Sequence, residues 1–178
     1  MNFDSFTLLA AGADLSDEPA AREDADGMEL RMDFADEPLA MLEAYDGELP
    51  LLVTNRVEWE GGEAADDAAR LDTLETAVEY DAVTAVDVEL AALEGDGDHD
   101  AARVVSHARE HGASVVVSTH DFEATPAEDA VVDRLERACE YGDVGKIATT
   151  AQDRGDVLAL LSATHRLTEA GAAVATMA

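Results

Sequence analysis

The chain has 178 residues, with 41 Asp+Glu against 11 Lys+Arg, a formal charge of −30 and a pI near 4.1. Hydrophobic residues make up 47% of it, too many for an acidic disordered segment, so a folded domain with an acidic skin is expected. Such a skin repels nucleic acid and anionic membranes, which excludes both as expected partners.

Short β-type runs then alternate with helical-period segments. Phe6–Ala11, Met28–Asp33 and Leu49–Asn55 read as the first three strands. Arg70–Glu79 reads as a helix with Leu71, Leu74 and Val78 on one face, and Ala82–Leu90 as the fourth strand. Ser114–Thr119 is the fifth. Pro126 then opens a helix, with Thr125 and Glu128 as a capping-box pair. Val131, Val132, Leu135, Ala138 and Cys139 recur there at helical spacing. Val144–Thr149 is the sixth strand. Val157, Leu160, Leu161, Thr164 and Leu167 mark one face of the last helix, and Ala172–Met177 is the seventh strand. This alternation predicts parallel strands with helices outside. A repeat of about 25 residues suits a (β/α)8 TIM-type barrel. A doubly wound sheet is second, and no Gly-rich phosphate loop follows the first strand.

Length predicts one domain over residues 1–178. No apolar run is long enough to span a bilayer and the start lacks a signal-peptide pattern, so a cytoplasmic location is expected. Excess acid, scarce lysine and abundant alanine resemble proteins of salt-accumulating halophiles, in which salt screens self-repulsion. The single cysteine, Cys139, excludes an internal disulfide and reads as a core thiol.

The chain has one lysine, Lys146, within the apolar stretch Asp143-Val144-Gly145-Lys146-Ile147-Ala148. The other cations are arginines, read as surface charges. A guanidinium stays protonated and cannot form a Schiff base, whereas a desolvated lysine can lose its proton near neutral pH and attack a carbonyl. In a barrel, chemistry gathers at the carboxyl ends of the strands. Those ends carry Glu29, Arg31 and Asp33 on one face of the second strand, Arg56 and Glu60 after the third, Asp87 and Glu89 on the fourth, His120 after the fifth and Lys146 on the sixth. His120 and Lys146 then sit on neighbouring strands, a base beside an amine. An internal ion-pair network is the bland account of the same charges. His99, His107, His111 and His165 fall in helices or loops and read as structural. Asp96-Gly97-Asp98-His99-Asp100 resembles the start of a calcium loop, but Ala101 and His107 stand where that loop needs glycine and glutamate. No histidine pair shows zinc-site spacing with a third ligand in sequence, so no metal site is expected.

Together, Glu29-Leu30-Arg31-Met32-Asp33, Arg56 with Glu60-Gly61-Gly62-Glu63, Asp87-Val88-Glu89-Leu90, Ser118-Thr119-His120-Asp121-Phe122 with Thr125-Pro126, and Gly145-Lys146-Ile147-Ala148 resemble type I 3-dehydroquinate dehydratases, in order and spacing along nearly the whole chain. The resemblance implies a (β/α)8 barrel of the shikimate pathway, the route to aromatic amino acids, and a hydro-lyase that makes 3-dehydroshikimate through a lysine imine without a cofactor. By matched position it implies Lys146 as the Schiff-base lysine, His120 as general acid/base, Glu60 as the carboxylate that orients it, and Glu29, Arg31, Arg56 and Met177 as substrate contacts. The implied partner is the small-molecule substrate, and a homodimer is left open. The family continues past the position of Ala178 with a loop arginine, an eighth strand and a serine and glutamine on a lid. The expectation is therefore a barrel lacking those C-terminal elements. The rival functions are a Schiff-base aldolase on the same barrel and a non-catalytic acidic binding domain.

Overall fold

A computed structural model describes residues 1–95 and 101–178. Seven parallel strands lie side by side in chain order: β1 (Leu9–Gly12), β2 (Gly27–Arg31), β3 (Leu51–Thr54), β4 (Val83–Glu89), β5 (Ser114–Asp121), β6 (Val144–Thr149) and β7 (Val174–Met177). The helices between them are α1 (Glu18–Ala21), α2 (Pro38–Ala44), α3 (Asp67–Ala77), α4 (Leu90–Glu94), α5 (Ala102–Glu110), α6 (Glu128–Tyr141) and α7 (Arg154–Glu169). The sheet curls into part of a (β/α) barrel, with β1 and β7 as its edges. All seven expected strands are present. The first starts at Leu9, because Phe6 stands 88% exposed in the segment before it.

Alternation along each strand sorts side chains into two layers. Outward residues such as Leu30, Val53, Val86, Val88, Val115 and Val117 pack under the helices. Each such side chain contributes about 1.5–3 kcal/mol by leaving water. Inward residues form the lumen. At the amino ends of the strands it is apolar: Leu52, Ala85, Val116 and Val144 meet Met1, Phe3, Leu9 and Ala173. The N-terminal amine closes this end, donating to the Thr84 carbonyl at 2.9 Å, while the Ser114 hydroxyl donates to the Met1 carbonyl at 2.9 Å.

Three local expectations are corrected. Thr125 and Glu128 form no capping box. The Thr125 hydroxyl instead bonds Thr149 Oγ1 at 2.8 Å, tying the loop to the end of β6, and α6 starts at Glu128 without a side-chain cap. The capping box belongs to α7, between Asp153 and Asp156. On α7, Leu160, Ala163 and Leu167 are buried, but Val157 and Leu161 are 41% and 59% exposed. The helix packs on α6 and β7, and nothing among the described residues covers its other flank. Cys139 is half-buried at the α6–β6 seam, 3.8 Å from the Ala173 carbonyl, and burial raises its thiol pKa.

Candidate active site

The carboxyl-terminal half of the lumen inverts the chemistry of the amino-terminal half. The register sets Lys146 beside Ser118 and His120 beside Ala148, so Ser118, His120 and Lys146 face inward together. Asp87 and Glu89 do the same on β4, Thr54 on β3 and Glu29 on β2.

Lys146 Nζ donates to Asp87 Oδ2 at 3.1 Å and lies 3.7 Å from Glu29 Oε1. Thr54 Oγ1 holds that Glu29 oxygen at 2.7 Å. The other oxygen of Asp87 accepts from Ser118 Oγ at 2.6 Å and from Arg56 at 2.7 Å. Burial alone would raise the pKa of Asp87. The Arg56 and Lys146 charges and the Ser118 hydroxyl overcome it and hold the carboxyl well below its usual range. Lys146 shows the same contest in mirror image: burial lowers its pKa, but Asp87 and Glu29 outweigh burial and leave it above the ordinary lysine value. This corrects the expectation of an amine neutral near pH 7. The resting amine is an ammonium, because burial came with two carboxylates.

Arg56 and Arg70, read from sequence as surface cations, are 3% and 2% exposed. Arg56 reaches Glu89 and Ser118 at 2.8 Å each, as well as Asp87. Burial lowers its pKa, but Asp87, Glu89 and Glu60 raise it further, so it stays charged. Its two terminal nitrogens hold Glu89, Ser118 and Asp87, so it braces the site wall. Arg70, from α3, grips the other oxygen of Glu89 at 2.8 Å and Asp67 at 2.6 Å. A chain of alternating charge thus runs from the helix layer to the amine: Arg70, Glu89, Arg56, Asp87, Lys146.

His120 Nδ1 is 2.8 Å from Glu60 Oε2, and its ring stacks on Phe122 at 5.9 Å between centroids. With Glu60 accepting from Nδ1–H, Nε2 carries the free lone pair. Glu60 ends a 3-10 turn that Gly61 closes at φ 78°. A Cβ on Gly61 would come within 2.4 Å of Phe122, and one on Gly62 within 2.0 Å of the Arg56 carbonyl. The two glycines therefore let the turn fold back and aim Glu60 inward. Arg31 makes a bidentate pair with Asp33 at 2.9 and 2.7 Å and lies over Phe34, 4.3 Å from the ring centre. It stands at the mouth, not within the network. Met177 occupies the open end of β7 beside Ala148, 46% exposed.

The structure thus joins Lys146, His120, Glu60, Glu29 and Arg56 in one site and sets Arg31 and Met177 at its rim. Sequence reading assigned no roles to Asp87, Glu89, Ser118, Thr54 and Arg70. The signal for the first two was present: acids at alternate positions of an otherwise apolar strand are inward charges that need partners. The signal for Arg70 was absent, since a helix arginine gives no hint of burial. His107 and His111 stand near a third metal-type side chain, Glu79, from outside α5 and 28 residues away from His107. The calcium-like stretch and His99 lie outside the described residues. Among the described residues, no helix is long and apolar enough to cross a membrane.

The fold and lumen define a (β/α)-barrel protein with a buried amine and a histidine–carboxylate pair at the carboxyl ends of its strands. The family model described as Type I 3-dehydroquinase matches residues 10–178, and the chain belongs to that family. It is 72% identical over 177 residues to a 3-dehydroquinate dehydratase of Haloarcula marismortui, covering 99% of this chain and 77% of the relative. To that of Halobacterium salinarum it is 50% identical over 177 residues, covering 99% and 78%. The crystal structure of 3-dehydroquinate dehydratase from Geobacillus kaustophilus superposes with a TM-score of 0.82 at 30% identity, covering 98% of this chain and 74% of that one.

Proposed function

We propose that residues 1–178 form a single barrel domain carrying the reacting groups of a 3-dehydroquinate dehydratase, a hydro-lyase that converts 3-dehydroquinate to 3-dehydroshikimate through an imine on Lys146, in the shikimate pathway. The observation that carries this reading is the sole lysine of the chain, inward in the lumen with Asp87 at 3.1 Å, one strand from a histidine paired to Glu60 at 2.8 Å.

The substrate is a β-hydroxy ketone. Its C2 proton is poorly acidified by a ketone and far better by an iminium. The Lys146 ammonium first gives up its proton to solvent, against the pull of Asp87 and Glu29. The amine then adds to the C3 carbonyl, and loss of water leaves the iminium. His120 Nε2 takes the C2 proton and the electron pair settles in an enamine. The pair then expels the C1 hydroxyl, which leaves as water with the proton from the imidazolium. Hydrolysis of the conjugated iminium returns the amine and releases product, so one water is lost overall. Glu60 orients the imidazole and balances its charge during the transfer. On this reading Glu29, Arg31 and Met177 make the substrate hydroxyl and rim contacts. Arg56 is read as a further substrate contact that also holds Asp87 in place at 2.7 Å.

The test is borohydride reduction in the presence of 3-dehydroquinate, followed by peptide mapping. One reduced adduct on the Lys146 peptide is expected. The N-terminal amine of Met1 is an internal control, because it lies at the opposite end of the lumen. An adduct on Met1, or none, overturns the reading.

A further inference from the structure

On the outer surface, at the rim opposite Lys146, His107 and His111 stand one turn apart at the end of α5 and face Glu79, just beyond the end of α3. One ligand-type atom from each of the three lies within 4.8 Å of the others. His107 Nε2 is 3.0 Å from Glu79 Oε1, and the two imidazole rings are 4.3 Å apart and tilted by 51°. His111 Nδ1 bonds the His107 backbone carbonyl at 2.9 Å. That bond fixes the tautomer, placing the proton on Nδ1 and the lone pair on Nε2. Ligating histidines are held in this way by a carbonyl behind the ring.

We propose that Glu79, His107 and His111 form a peripheral site for a zinc-class divalent cation, independent of the chemistry assigned to the lumen. Two imidazoles and one carboxylate are a zinc-type donor set, with a fourth position left for water. Imidazole nitrogen also distinguishes this cluster from the acid around it. Carboxylates of the −30 skin attract hard cations such as magnesium, whereas imidazole prefers zinc, nickel and copper. The side chains of His107 and Glu79 are 27% and 56% exposed, so an ion can enter and the carboxylate can swing to meet it without disturbing the core. Bound there, the ion links the ends of α3 and α5 and stabilises their contact at the amino-end rim of the sheet. Strand polarity keeps it remote from Lys146 and His120, so binding leaves turnover unchanged.

The experiment is calorimetric titration of chelator-treated protein with zinc nitrate, in molar potassium nitrate with excess magnesium to occupy the acidic surface. One zinc per chain is expected, with a rise in melting temperature. The His107→Ala/His111→Ala double variant should lose at least the roughly tenfold affinity that even an outer-shell partner can supply, together with the thermal shift. Glu79→Gln, which preserves shape, should lose affinity as well. Lys146→Arg should bind zinc as the parent does. Unchanged affinity in the double variant, or no zinc bound by the parent, overturns the proposal.

Discussion

The two ends of the lumen are built from the same strands and obey opposite rules. At the amino ends, Leu52, Ala85, Val116 and Val144 meet Met1 and Phe3 in an apolar plug. Two residues further along β3, β4, β5 and β6, the inward positions become Thr54, Asp87, Ser118 and Lys146. The plug is non-directional and tolerates any residues of suitable volume. The charged end requires a partner for every group, because an uncompensated buried charge is worth several kcal/mol of instability. The apolar plug and the chemistry are thereby separated along a strand by one alternation step, and the plug can be altered without the chemistry.

The sharpest break falls on Lys146. Lys146→Arg keeps a cation for Asp87 and should fold, yet it should fall to background in a dehydratase assay and give no borohydride adduct. Retained turnover would remove the imine. His120→Ala comes next. It should still form the trapped adduct while kcat drops by about 10²–10⁴-fold, since proton transfer is separable from amine attack. Near-parental kcat would exclude His120 as acid/base.

The other changes sharpen the contrast between the two ends. Arg70→Met strips one partner from Glu89 and should cost about 3–5 kcal/mol in chemical denaturation, because it breaks a buried pair. It should also depress kcat, since the loosened carboxylate no longer braces Arg56 against Asp87. Leu52→Ala, at the plug, should cost about 2–5 kcal/mol and leave kcat unchanged at temperatures where the variant is folded. A fall in kcat matching that of Arg70→Met would show that the two ends are not separable. The smallest effect concerns acid. Asp87 titrates lower in the folded state than in the unfolded state. Its contribution is therefore fully present above about pH 4 and is lost as pH falls towards the folded pKa. Asp87→Asn should flatten the acid limb of the stability curve by up to one proton, about 1.4 kcal/mol per pH unit. An unchanged slope would mean that Asp87 is not held as a carboxylate by Arg56 and Lys146.

Much of this was legible before any coordinates. Strand–helix alternation gave seven strands in order, and the inward placing of both Lys146 and His120 followed from their positions on adjacent strands. Periodicity is local, and neighbours in sequence suffice to set it. The single lysine was legible for the same reason, as a chemical exception in a chain that otherwise uses arginine. What only the tertiary structure decided was which groups share a charge. That Arg70 reaches from a helix to Glu89, that Asp87 keeps the amine protonated, that Thr125 ties down β6 instead of capping a helix, and that Glu79 meets two histidines all depend on approaches between distant segments. Electrostatic and hydrogen-bond energies are set by ångströms and by the dielectric around each pair, and these emerge only once the chain has closed around them.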